Sequence, residues 1–578
     1  MFAARKIGFT TPNPVSVALY FYDASAASSV TVVGGSPLLV SSWSSTADAN
    51  DIGRTLSQGV SLNQPQYSGS NRVTFADTSD VLTFNTPVAQ AGWQIVGTSR
   101  GTFAYRINAS SQSAIRLFGN QGALNLTGDL YGVIYLPANA SAAMIQKARQ
   151  ILIGRGAASN VVGTSVIDWW KNRSDIVEFG HNDFSSVTNF NNTWSSCSSL
   201  TSFPSIDTNS GTNFTSAWAD CSNLTSFPLI DTSKGTSFSE TWLSCTSLTS
   251  FPLINTSSGA NFNAAWFNCT SLTSFPLLDT SNGTTFSYTW FNCGSLTSFP
   301  LIDTSKGTTF SFAWFNCTSL TSFPLINTSS GANFSYAWYN CTSLTSFPLI
   351  DTSKGTTFSY TWFNCGSLTS FPLINTSNGA FFNYTWSGCG SLTSFPLIDT
   401  SKGTSFSETW LSCTSLTSFP LINTSSGANF NAAWFNCTSL TSFPLLDTSN
   451  GTNFSYAWFN CTSLTSFPLI DTSKGTTFNY TWFNCGSLTS FPAGFFDSWT
   501  GIPIADCFLN TWGNTTNLTA TSVENIFNSI AASGKSAPAS GKEITVVYNT
   551  ATGTPNITTA ITNLKSRGWT PRLNGTLL

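Results

Sequence analysis

The sequence predicts a mainly β fold: an elongated solenoid of 24-residue turns, with an N-terminal all-β domain before it and a small α/β cap after it. Three observations lead there. From Cys197 to Cys485, thirteen cysteines recur at a constant spacing of 24. Each has Phe seven positions before it, Trp three before, Leu three after and Phe six after, as in Phe214, Trp218, Cys221, Leu224 and Phe227. The composition is that of a few residue types used repeatedly, 8% charged against 14% aromatic with Trp 20, Met 2 and His 1, far from a globular average. The expected boundaries are 1–165 for the β-rich domain, which would serve as an attachment module, 166–519 for the solenoid with its degenerate end rungs, and 520–578 for the cap.

Bulk properties remove some functions. The net charge is -3 and the 22 Lys and Arg form no cluster, so phosphate neutralisation has nothing to act through and no nucleic-acid partner is expected. No run approaches the ~18 apolar residues of a membrane span. The first residues imitate a secretion signal, but Thr11-Pro12-Asn13-Pro14 interrupts the apolar run, and the segment is read as retained.

Within 1–165, short alternating runs (VSVALYFY, SVTVVGG, RVTFADTSDVLTF, LYGVIYL) are separated by Gly, Ser, Asn and Pro, an all-β pattern. A helix is expected from Ser141 to Gly154, and the stretch from Leu130 through it resembles the end of concanavalin-like modules of phage and bacterial surface proteins.

A typical solenoid unit is Cys317 to Asn340, CTSLTSFPLINTSSGANFSYAWYN. Leu-x-x-Phe-Pro-Leu, as at Leu320 to Leu325, puts apolar residues where a leucine-rich repeat has Leu-x-x-Leu-x-Leu, which predicts one short strand facing the core. Pro at its centre, as in Pro228, Pro252 and Pro276, donates no ladder bond, so pairing there must be short or interrupted. The Asp, Asn, Ser and unvarying Gly that follow are turn chemistry. Phe334, Trp338 and Cys341, at i, i+4 and i+7, predict the inward stripe of a short helical turn. Thirteen such turns at the inter-strand spacing would make a rod on the order of 60 Å long. Ile176, Phe179 and Asp183 fit a degenerate first rung in which His181 replaces Leu; Phe508, Trp512 and Leu518 restore the frame at the far end, with Thr515 in the Cys position. Beyond it, TATSVENIFNSIAASG and TTAITNLKSRG read as helices, EITVVYNT and WTPRLNG as strands.

The block running from Cys through Leu-Thr-Ser and Asp-Thr-Ser to an aromatic pair before the next Cys resembles the BspA-like leucine-rich-repeat surface proteins of bacteria, over residues 174 to 518. Trp stands where that family has Met-Phe or Ala-Phe before the Cys, and Phe-Pro where it has a second Leu. The resemblance implies a leucine-rich-repeat-type solenoid and a surface-displayed binder or adhesin; similar repeats occur in predicted phage tail proteins.

Chemistry-bearing residues reduce to structural roles. A Cys at one equivalent position per turn between Trp and Leu reads as a core thiol, without disulfide or metal, and His181 is the sole histidine, so no metal site, cofactor or Cys-His nucleophile is expected. Cys507 is out of register and has no assigned place. The Trp ladder from Trp194 to Trp482 reads as core. Glu240 and Glu408 occupy duplicate rungs too far apart for a glycosidase pair. Each turn Lys follows an Asp, as in Asp231 with Lys234, Asp303 with Lys306 and Asp351 with Lys354, which suggests charge balance within the rung. No catalytic residues are assigned, and the chain is expected not to be an enzyme.

Variation among rungs points to a binding face. Five positions before Cys stand Glu240, Ala264, Tyr288, Phe312, Tyr336, Tyr360, Tyr384, Tyr456 and Tyr480; a position tolerating Glu and Tyr alike is read as facing water, together with Phe267, Phe291, Phe315 and Tyr339 two before Cys. This aromatic row (Tyr288, Phe312, Tyr336, Tyr360, Tyr384, Tyr456, Tyr480) is the candidate surface for a host glycan or protein receptor. Leu224 to Thr284 is identical to Leu392 to Thr452, an offset of 168 residues or seven rungs, a recent duplication of the kind that changes the reach of a fibre or adhesin. The expected function is a non-enzymatic virion protein, a phage tail fibre or receptor-binding component located in the tail, held to other tail proteins through its N-terminal domain; the alternative is a bacterial cell-surface adhesin. Homo-oligomerisation is a further expectation.

Overall fold

A computed structural model describes residues 164–180 and 183–578 in full and, before them, the backbone of strands between residues 5 and 137. The chain forms two compact units, 1–282 and 283–578. In the first, Gly92–Thr98 pairs antiparallel with both Gly128–Pro137 and Gly101–Ile107, and Ile176–Phe179 extends this eight-stranded sheet. Five further strands, Ser28–Val32, Ser42–Ala47, Thr55–Gln58, Leu82–Val88 and Gln112–Ile115, make a second sheet. The helix expected from Ser141 to Gly154, and His181, lie outside the described residues.

The rungs are built differently from the expectation at two places. Where a short helical turn was expected, alternate amides of one rung donate to the next: Phe334 to the Thr357 carbonyl (3.1 Å), Tyr336 to Ser359 (3.0 Å), Trp338 to Thr361 (2.9 Å) and Asn340 to Phe363 (2.7 Å). The intervening amides close three-residue spans within the rung, Ala337 to Phe334 (3.0 Å) and Cys341 to Trp338 (3.4 Å). Tyr336 and Asn340 take left-handed backbone, with φ of 60° and 59°. A right-handed helix would keep all its amides to itself; inserting a left-handed residue every fourth position frees every second amide for the neighbouring rung. The i, i+4, i+7 spacing is satisfied by both arrangements.

The second departure is at the expected strand. The Thr345 amide reaches the Thr321 carbonyl one rung back (3.2 Å), but after Phe-Pro the chain folds on itself, with Ile350 N–H donating to the Pro348 carbonyl (2.9 Å). That is the bond of a γ-turn. It reverses the facing of the next two residues: Leu320 is 0% exposed, Phe323 7% and Ile326 1%, whereas Leu325, expected inside, is 59% exposed. Pro supplies the reason, since it cannot continue a ladder.

Inside, equivalent residues stack. Trp314, Trp338 and Trp362 lie parallel with ring centres 5.2 and 5.7 Å apart, and Phe334 stacks on Phe358 at 5.7 Å. Trp338 meets Phe347 edge-on at 4.9 Å. The unvarying Gly is fixed by this packing: a Cβ on Gly331 would fall 2.6 Å from Cζ of Phe334 and 3.0 Å from Phe310, and its backbone is not left-handed. The cysteines are buried, and in rung after rung the thiol donates to the carbonyl of the preceding rung's Trp, as Cys221 does to Trp194 (3.2 Å) and Cys341 to Trp314 (3.3 Å).

The ends keep the frame with substitutions. In the first rung Trp170 stacks on Trp194 at 5.7 Å, and Arg173 stands in the Cys position, 2% exposed, its guanidinium forked onto Asp175 (2.7 and 2.8 Å). At the far end Phe508 stacks on Phe478 and Trp512 on Trp482, at 5.6 and 5.7 Å. The Thr515 hydroxyl donates to the Trp482 carbonyl (2.5 Å), doing what the thiol does elsewhere. Cys507 takes the place just before the inward Phe, its carbonyl accepting from the Phe478 amide (2.7 Å). Helix Ala520–Ala532, capped by Thr519, then sits on the last rung, the Ser522 hydroxyl donating to the Thr489 carbonyl (2.9 Å). Strand Glu543–Val546 lies parallel to Thr570–Leu573, which pairs antiparallel with Thr576–Leu577; helix Thr558–Ser566 connects the first two.

Candidate aromatic binding face

All seven candidate residues belong to the unit 283–578, and the structure gathers them into two islands. In the first, Tyr288, Phe312, Tyr336, Tyr360 and Tyr384 stack in one row with ring centres 4.6, 4.4, 4.5 and 4.4 Å apart and planes within 9°. Beside it runs a second row, Phe291, Phe315, Tyr339 and Phe363, at 4.5, 4.4 and 4.6 Å. Rings of the two rows touch at a tilt, Tyr336 with Tyr339 at 5.8 Å. The island ends at Glu408, whose carboxylate accepts the Tyr384 hydroxyl. Beyond Ala432, Tyr456 and Tyr480 form the second island at 4.8 Å, next to Phe435, Phe459 and Phe483.

This face is not simply open to water, as the Glu and Tyr variation suggested. Tyr288 is 37% exposed, the other six are half-buried, and the small Ala264 and Ala432 at the same position are buried. Position five before Cys is a shallow shelf whose residue is covered by its neighbours on adjacent rungs. Burial raises the phenol pKa of Tyr336 and Tyr360, and in Tyr384 the bond to the anionic Glu408 adds to it.

Two magnitudes bear on why aromatic residues stand here. A left-handed backbone costs a side chain with Cβ about 1–2 kcal/mol, and φ is 56–60° at all seven residues. A stacked aromatic pair returns about 0.5–1.5 kcal/mol beyond its area. The first cost falls equally on Glu240, Ala264, Glu408 and Ala432, whose φ is 49–55°, so the stacking gain is what sets the aromatic residues apart. The stack also decides what is presented. Ring faces are covered by the next rung, which closes them to sugar rings along the row, and the hydroxyls of Tyr336, Tyr360 and Tyr384 are joined by hydrogen bonds along the row that end at Glu408.

A second ladder was missed in the sequence. At the other left-handed position, directly before Cys, the Asn340 amide donates to the Asn316 side chain and Asn364 to Asn340 (2.5 and 2.6 Å), continued by Asn460 and Asn484 (2.5 Å each). Asn tolerates left-handed backbone better than most residues, so eight Asn at this one position, Asn268 to Asn484 with Gly388 among them, were a readable signal.

The turn charges also differ from the expectation. The carboxylates are held by their own turns: Asp351 accepts from the Ser353 amide (2.9 Å), and its pKa is lowered chiefly by bonds from Ser353, with Lys354 the smallest contribution. Lys402 reaches the preceding rung instead, donating to Asn378 (2.5 Å), and Lys474 does the same to Asn450. Burial pushes the thiols of Cys317, Cys389 and Cys437 up to about 12.

No protein-family model and no curated protein matches the sequence. Among solved structures, a leucine-rich repeat protein from Eubacterium ventriosum is similar at 17% identity and a TM-score of 0.32, over 54% of this chain and 91% of that one. An internalin from Listeria monocytogenes is similar at 14% identity and a TM-score of 0.20, over 59% of this chain and 92% of that one. Likenesses at this level carry no argument about function. The bonds and stacks between successive 24-residue rungs identify the chain as a repeat solenoid.

Proposed function

We propose that the chain is a non-enzymatic adhesion scaffold, the receptor-binding component of a phage tail. The observation that carries the binding role is the aromatic row from Tyr288 to Tyr384, kept on left-handed backbone where neighbouring rungs fold with Glu or Ala, with the row Phe291 to Phe363 beside it. With ring faces stacked on one another, the row suits a protein receptor that packs on ring edges better than a glycan stacked on ring faces. The thiol ladder favours the virion over an exported adhesin: fourteen buried cysteines held as thiols fit a chain that folds in reducing cytosol, since export exposes thiols to oxidation. A bacterial surface adhesin is the second reading, favoured by the pattern of the repeat.

Replacing Tyr336, Tyr360 and Tyr384 together by Ala tests the binding role by adsorption of the purified chain to host cells. The expected result is lost adsorption with a cooperative unfolding transition retained. Unchanged adsorption with a lower melting temperature would leave the rows only a stiffening role.

A further inference from the structure

The misplaced leucines form a face of their own. In the unit 283–578, Leu301, Leu325, Leu349, Leu373, Leu397, Leu421 and Leu445 are 59–62% exposed and Leu469 51%, one on each of eight consecutive rungs. On each of these rungs the exposed Thr and Ser that precede Phe-Pro, as Thr321 and Ser322, lie on one side of the Leu, and the exposed Asp or Asn of the turn, as Asn327, lies on the other. The fold does not require Leu there: the first regular rung carries Ser205 and the last Ala493 at the same position. Interior rungs therefore keep a large apolar side chain in water at a place where Ser and Ala also fold.

We propose that this leucine ladder is a self-association face, covered by the same ladder of a second copy of the chain. Three features commit it to that occupant. A partner that meets every Leu must repeat with the period of the rungs, and a second copy does so by construction, knob between knobs, in an isologous pair. The area is adequate: a buried Leu is worth about 1.5–3 kcal/mol at about 25 cal/mol per Å², hence about 60–120 Å² each. Eight leucines at three-fifths exposure supply roughly 300–600 Å², and the Pro, Thr and Ser beside them bring the face towards the ~800 Å² per partner of a stable interface. The anatomy also fits, an uncharged apolar centre with Asp and Asn only at its edge. The aromatic rows lie elsewhere on the rung and remain available.

Sedimentation velocity on the full chain tests this with two triple variants, Leu325→Lys, Leu373→Lys, Leu421→Lys and the same three to Glu. Wild type is expected to sediment as a dimer and each variant as a monomer with unaltered circular dichroism, and an equimolar mixture of the two variants should restore the dimer. Should either variant misfold, Ser at the three sites, the residue found at 205, repeats the test without charge. A wild-type monomer at all concentrations, a dimer that survives in the variants, or a mixture that stays monomeric would overturn the proposal.

Discussion

Cys317 and its equivalents act as small apolar side chains that also donate one hydrogen bond, from sulfur to the Trp carbonyl of the rung before. Their invariance, and their place between an inward Trp and an inward Leu, made the buried thiol legible in the sequence, but not its bond. A pH dependence follows. The folded thiols of Cys317 and Cys437 lie at about 12 against an ordinary 9.0, so the unfolded chain loses these protons first. The stability they confer is complete below pH 9.0 and is lost as pH rises through 9.0 towards 12, by up to about 1.4 kcal/mol per thiol per pH unit. Denaturation midpoints measured from about pH 8 upward should fall steeply above about 9, and thiol reagents should modify the native chain slowly and all fourteen cysteines after unfolding. A midpoint flat up to about pH 11 would contradict burial of the ladder. Tyr336 was harder to read, because a tyrosine carries no sign of left-handed backbone, whereas Asn340 does.

Single elements were legible where inward residues never vary and illegible where two backbones share one spacing. Phe334, Trp338 and Cys341 were placed inside correctly, yet their path was taken for a helical turn because i, i+4, i+7 spacing does not distinguish a helix from a ribbon of turns. Leu325 was placed inside because it is apolar; the turn at Pro324 gives that place to Ile326. At the first rung, Ile176 and Phe179 were recognised, but the buried Arg173–Asp175 pair was not, since neither residue resembles the Cys frame. Asp175→Ala leaves a guanidinium buried without its carboxylate, and breaking such a pair costs about 3–5 kcal/mol. Hydrogen exchange should then be accelerated in the amides of Trp170 and Trp194 and unaffected around Trp458; equal exchange in wild type and variant would show that the pair does not hold this end.

For the whole molecule, no turn can bury its own Trp and Phe, so stability resides in the interfaces between rungs. The identical segments Leu224 to Thr284 and Leu392 to Thr452 show that whole rungs have been copied without loss of frame. The most direct measurement compares two deletions by thermal unfolding followed through tryptophan fluorescence. Removing 317–340 joins Asn316 to Cys341 in register, one complete rung of 24 residues; removing 317–328 joins two half-rungs out of register. The first variant should unfold cooperatively near the wild-type temperature and the second should lose the native transition or melt far below it. Equal behaviour of the two deletions would contradict a fold built from 24-residue rungs.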